Sequence, residues 1–91
     1  MNGKLTTGSV FDAIEDDPGV AEQLKIKAAL MRSMNKYIKD NGLTQQQAAT
    51  KMGVQRSRVG DLCRGHISVF SIDSLVVMAA RAGMHPIKVA A

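Results

Sequence analysis

The sequence predicts an all-α fold, a compact bundle of about five helices, with a pattern that also admits one short strand at the C-terminal end. Three observations lead there. Hydrophobic residues make up 45% of the 91-residue chain but aromatic ones only 3%, so the core must be built from Leu, Ile, Val, Met and Ala. Those apolar residues recur at steps of three or four, and helix-starting and helix-stopping residues separate one recurrence from the next. The connections between them are all short, and the chain length fits one domain with no room for a second core. We read residues 1–9 as a flexible lead and residues 10–91 as that single domain.

Val10, Phe11 and Ile14 fall at helical spacing, and the run Glu15, Asp16, Asp17, Pro18, Gly19 stops them at once. This small appendage is either a staple packed on the main body or a segment that orders against a partner. The first long helix starts near Asp17, which caps it with Pro18 in the first turn, and runs to about Asp40 before Asn41 and Gly42 end it. Leu24, Ala28, Met31, Met34 and Ile38 form its apolar stripe, while Lys25, Lys27, Arg32, Lys36 and Lys39 take much of the remaining surface. Methionine at this spacing reads as core filler rather than as an adaptable binding groove.

Residues 44–64 carry the most information. Thr44 followed by Gln47 is a capping box that starts a helix at Gln45. Ala48, Ala49 and Met52 give it an apolar stripe, and Gly53 supplies the left-handed backbone that closes it after about two turns. Val54 plugs the turn, and Gln55 to Arg64 then reads as a helix with Val59 and Leu62 inward and Gly65 as its stop. Two short helices across a glycine turn make a helix-turn-helix. Beyond it, Ile67 and Phe70 pack a β-branched connection, and Ser71 caps a fourth helix with Asp73 in its first turn. Leu75, Val76, Met78 and Ala79 are read as the inner face of that helix and Gly83 as its end. After Pro86, Ile87 and Val89 alternate as in a short edge strand. Pairing that strand with its copy, or packing it beside a symmetry-related helix, implies a two-fold dimer.

The window from Gln45 to Arg64 resembles the helix-turn-helix of the Xre family, the repressors related to the lambda and Cro proteins. Ala49 stands at the family's small-residue position, Gly53 at its turn glycine, and Ala48, Met52, Val54, Val59 and Leu62 at its apolar positions. The resemblance implies a lambda repressor-like fold and binding to double-stranded DNA. The residues agree. The second helix of the motif exposes Arg56, Ser57, Arg58 and Asp61, which we take as the base-contacting set, since a helix fits the major groove and arginine reads guanine there. Asp61 either accepts from a cytosine amino group or pairs with Arg58 or Arg64 and orients them. Thr44, Gln45, Lys51, Gln55, Arg64 and His66 are the expected phosphate contacts. Two features depart from the family pattern: Gln55 replaces the usual Ser or Thr cap, and Gly60 sits inside the helix at a cost of about 1 kcal/mol relative to alanine.

From Val10 to Val89 the chain is also similar to the small Xre proteins that act as antitoxins in HigBA-type modules. That resemblance implies a homodimer on a palindromic operator and a small basic ribonuclease toxin as partner, with Val10, Phe11 and Ile14 as its contacts. Charge fits two kinds of partner: residues 1–22 carry one base against five acids, a net of −4, and residues 23–91 carry eleven bases against three acids, a net of +8. A free-standing regulator without a toxin and a pure protein-interaction module are the alternatives.

Other classes fit poorly. Cys63 and His66 have the spacing of a nucleophile and base, yet a cysteine half-packed beside Leu62 and a histidine at a helix end explain them more simply. Cys63, His66 and His85 lack the fourth ligand and paired spacing of a zinc site, so no metal or cofactor is expected. A lone cysteine, no secretory-type apolar stretch at the N-terminus, and no apolar run longer than Leu75 to Ala80 point to a cytoplasmic protein without a membrane role.

Overall fold

The computed structural model describes residues 17–85, which form four α-helices and one 3-10 turn. These are α1 (Pro18–Asp40), α2 (Gln45–Met52), α3 (Arg56–Cys63), the 3-10 turn Ile67–Val69, and α4 (Ile72–Arg81). No strand occurs among the described residues. The expected fifth helix around Val10, Phe11 and Ile14 and the expected strand at Ile87 and Val89 lie outside them.

Local chemistry sets the helix ends. The Asp17 carboxylate accepts from the backbone N–H groups of Gly19 at 2.8 Å and Val20 at 3.3 Å, and Pro18 occupies the first turn, where no N–H is needed. At the other end of α1, the Leu43 N–H returns to the Ile38 carbonyl at 3.0 Å. The capping box of α2 closes from both sides: Thr44 Oγ1 accepts from the Gln47 N–H at 3.0 Å, and Gln47 Oε1 accepts from the Thr44 N–H at 2.9 Å. Ser71 and Ser74 do the same for α4, at 3.0 and 3.1 Å. α3 starts at Arg56 rather than at Gln55, because Gln55 is the cap residue with extended backbone and its side chain makes no capping bond.

A single core joins the elements. Leu30, Met31, Met34 and Ile38 of α1 meet Ala48, Ala49 and Met52 of α2, Val59 and Leu62 of α3, Phe70, and Leu75, Met78 and Ala79 of α4. α1 packs on α3, the 3-10 turn and α4, while α2 lies against α3 and α4. Two side chains of α1 add polar ties at the ends of other helices, where carbonyls lack intrahelical partners. Asn35 Nδ2 donates to the Leu62 carbonyl at 3.0 Å, and the Tyr37 hydroxyl donates to the Ala82 carbonyl at 3.1 Å.

Three burial expectations are corrected. Leu24 is 36% exposed, because the first turns of α1 run past the bundle and contribute no buried residue. Val76 is 37% exposed: Leu75, Met78 and Ala79 form the i, i+3, i+4 stripe, and Val76 stands about 60° beyond its edge at Ala79. Cys63 is exposed rather than half-packed beside Leu62.

Candidate nucleic-acid interface

The helix-turn-helix consists of α2, the turn through Gly53 and Val54, and α3. Its tightness rests on Gly53, at φ 69°, where an L-residue with a side chain would be strained; the Val54 N–H can then reach the Ala49 carbonyl at 3.0 Å. Val54 is half-buried against the core as the plug of this turn. Ala48, Ala49 and Met52 are fully buried on α2, and Val59 and Leu62 on α3, so the two helices share one apolar seam. The opposite surface of α3 is left to solvent.

At 100° per residue, the direction opposite Val59 and Leu62 is centred on Ser57, Asp61 and Arg64, with Arg56 and Arg58 on its two flanks. Arg56 and Ser57 are exposed, and Arg56 makes no ion pair among the described residues. Arg58 is held at its guanidinium, which lies 5.8 Å from the centroid of the Phe70 ring and whose Nη1 is 3.8 Å from the Asp61 carboxylate. Its side chain is still 46% exposed.

Asp61 gathers three groups. Besides Arg58, its carboxylate accepts from Arg64 Nη2 at 3.2 Å and lies 3.3 Å from His66 Nδ1. Of the two roles open to Asp61 from the sequence, this geometry carries the ion-pair role. The Arg64 guanidinium passes over Gly60, where a Cβ would sit 3.3 Å from it.

The expected phosphate contacts spread around this face. Thr44 is exposed, and because its oxygen accepts the capping bond, its hydroxyl proton remains available to a phosphate oxygen. Gln45 is half-buried at the start of α2, and Lys51 is exposed in its last turn. Gln55 is exposed, with its amide uncommitted to capping. Arg64 and His66 are exposed and both reach the Asp61 carboxylate. Among the described residues no group of three or more His, Cys, Asp or Glu side chains converges as a metal site, and no helix is long and apolar enough to cross a membrane. The toxin contacts expected at Val10, Phe11 and Ile14 fall outside the described residues.

Sequence reading missed Arg81 and Asn35, which hold the motif from outside. Arg81 Nη1 donates to the Gly53 carbonyl at 3.2 Å, and Asn35 fixes the C-terminal end of α3. No spacing signal links residues 27 or 28 positions apart.

No curated protein and no solved structure matches the chain. The family described as the helix-turn-helix domain matches residues 13–89, a span that includes every described helix and both halves of the motif. A buried seam on one side of α3 and an exposed arginine-bearing face on the other are what a DNA-binding regulator of this kind requires. The chain therefore belongs to the helix-turn-helix domain family.

Proposed function

We propose that the protein is a sequence-specific DNA-binding repressor, and that it serves as the antitoxin of a HigBA-like type II toxin-antitoxin module. It neutralises a ribonuclease toxin and represses their shared operon as a homodimer on a palindromic operator, in the cytoplasm on the nucleoid. The observation that carries the DNA-binding reading is Arg56, an exposed cation without an ion-pair partner among the described residues, at the start of a helix anchored by Val59 and Leu62. In this reading α3 lies in the major groove. Arg56 and Ser57 meet base edges, Arg58 reaches an adjacent base from its seat on Phe70, and Asp61 sets the guanidinium groups of Arg58 and Arg64, with its own base contact at the groove floor secondary. Thr44, Gln45, Lys51, Gln55, Arg64 and His66 bind phosphates and fix register. No catalytic group, metal or cofactor is needed.

The antitoxin role rests on the sequence resemblance noted above and on the charge division: an N-terminal head of net −4 suits a basic toxin, and a body of net +8 suits DNA. Val10, Phe11 and Ile14 supply the apolar contacts to the toxin.

Two measurements test the reading. Gel retardation at low ionic strength with the DNA upstream of the chain's own reading frame, against random duplex of equal length, should show preference for the former. Failure to retard any duplex overturns DNA binding and leaves the interaction-module alternative. Co-expression with the neighbouring reading frame should yield a complex with a small basic protein that arrests growth when expressed alone; absence of such a companion selects the free-standing regulator.

A further inference from the structure

α4 has a second face. Leu75, Met78 and Ala79 point into the core, and the opposite side of the helix carries Asp73, Val76, Val77 and Ala80, with Arg81 at its edge. Val76 is 37% and Val77 44% exposed, and Val69 of the preceding 3-10 turn is 41% exposed beside them. Three of the four large exposed hydrophobic residues among the described residues thus fall on α4 or the turn leading into it. Val69 and Val77 line an open groove of about 560 Å³ together with Val54, Arg58, Phe70 and Met78, and Asp73 and Arg81 also line it. Scattered exposed valines are ordinary, but an apolar strip with a charged residue of each sign at its ends is a pattern.

We propose that this face is where two copies of the chain meet, with the α4 helices antiparallel across a two-fold axis at Val77. The charges select this occupant. Asp73, Val77 and Arg81 are spaced i, i+4, i+8 and lie on one side of the helix. When two such helices cross antiparallel at Val77, the position four residues before the crossing on one faces the position four residues after it on the other. Asp73 of each copy then faces Arg81 of the second copy, twice by symmetry, which is the self-complementarity an isologous contact demands. Both residues are free to do this. Asp73 makes no ion pair among the described residues, and Arg81 spends one N–H on the Gly53 carbonyl while keeping other donors. Ala80 and Ser74, small residues flanking Val77, permit close approach of the two helices, and the antiparallel arrangement also sets the helix dipoles in opposition. The proposal rests on the homodimer of the proposed function and names its face; its test uses no DNA, so failure of this face and failure of DNA binding are read separately.

The experiment is sedimentation equilibrium of the full chain over a wide concentration range, with helicity followed by circular dichroism. The wild-type protein should reach twice its 9.8 kDa mass. Val77→Asp, on an exposed site, should keep its helicity and weaken self-association by about tenfold or more, because it places two carboxylates at the axis. Asp73→Arg should also weaken it, and Asp73→Arg/Arg81→Asp should recover part of the loss by exchanging the facing charges. That recovery separates a facing pair from damage to the fold. A wild-type chain that stays monomeric at every concentration overturns the proposal, as does a dimer indifferent to both Val77→Asp and Asp73→Arg. A chain that dimerises only after removal of residues 1–16 overturns it too, since its own acidic head would then be what covers the strip.

Discussion

Arg81, in the last turn of α4, donates from Nη1 to the carbonyl oxygen of Gly53 at 3.2 Å, joining the end of the bundle to the turn of the helix-turn-helix. The contact is also steric. A Cβ built on Gly53 would approach that same nitrogen to 2.7 Å. Gly53→Ala therefore meets two penalties: the left-handed backbone at φ 69°, worth about 1–2 kcal/mol, and displacement of the guanidinium with loss of its hydrogen bond, worth about 0.5–1.5 kcal/mol. Arg81→Ala should remove only the second. In urea denaturation the double variant should be less destabilised than the sum of the singles, since the bond can be lost only once. Strict additivity would show that Gly53 and Arg81 act independently.

Arg56 and Lys51 separate reading from holding. Arg56 extends from the exposed start of α3, whereas Lys51 lies at the end of α2, off the helix proposed to enter the groove. Arg56→Ala should cost about 1–3 kcal/mol on the operator and relax preference at one base pair. Lys51→Ala should weaken operator and random DNA alike and reduce the magnitude of the salt slope by about one. Binding isotherms on both duplexes at several salt concentrations make the comparison. Equal losses on operator and random DNA for Arg56→Ala would remove it from the base-reading set.

Sequence made the helix starts legible because capping is local. Asp17, Thr44 with Gln47, and Ser71 each act within three residues of themselves, and the glycine turn at Gly53 follows from a single backbone requirement. The apolar stripes of α2 and α3 were equally plain, since every inward position on them is aliphatic or small. Periodicity failed where apolar residues are surplus to the stripe. Val76 reads like its buried neighbours Leu75 and Met78, and only the packing of α4 against α1 and α2 decides which side is inside. The ties from Asn35 to Leu62, Tyr37 to Ala82 and Arg81 to Gly53 span 27, 45 and 28 residues, and nothing local announces them. At the candidate interface, residue types mark α3 as a basic exposed helix. The gathering of Arg58, Arg64 and His66 around Asp61 depends on the path of the chain after Gly65 and on Phe70 beneath Arg58.

Asp61 should affect binding far more than folding. Its three partners are on the surface, with side chains 46–61% exposed, so each pair contributes at most about 1 kcal/mol in water. Asp61→Asn removes a negative charge from the centre of the proposed DNA-binding face and leaves Arg58 and Arg64 without their carboxylate. Stability in thermal melting should change by less than about 3 kcal/mol, the ceiling for three such pairs, while affinity for random duplex at low salt should rise. Discrimination between operator and random DNA should fall, because the guanidinium groups lose the contact that orients them. Unchanged discrimination would mean that Arg58 and Arg64 take no direction from Asp61.

Ala49 tests the helix crossing itself. It is fully buried on α2, which is wedged between α3 and α4, and its carbonyl accepts the Val54 N–H that closes the turn. A leucine there adds three carbons where neither neighbouring helix can withdraw without opening the seam that holds Val59 and Leu62. Overpacking of this kind costs about 1–3 kcal/mol. Thr50→Leu, one position along and exposed, places the same side chain in solvent and should change stability by only about 0.5 kcal/mol. Chemical denaturation of the two variants measures the difference directly. Operator affinity supplies a second readout: Ala49→Leu should lower it under conditions where the variant remains folded, because pushing α2 from α3 alters the angle at which Arg56 and Ser57 are presented. Equal stability of the two variants would mean that the space between α2 and α3 is wide enough for a leucine, and that Ala49 does not set the crossing.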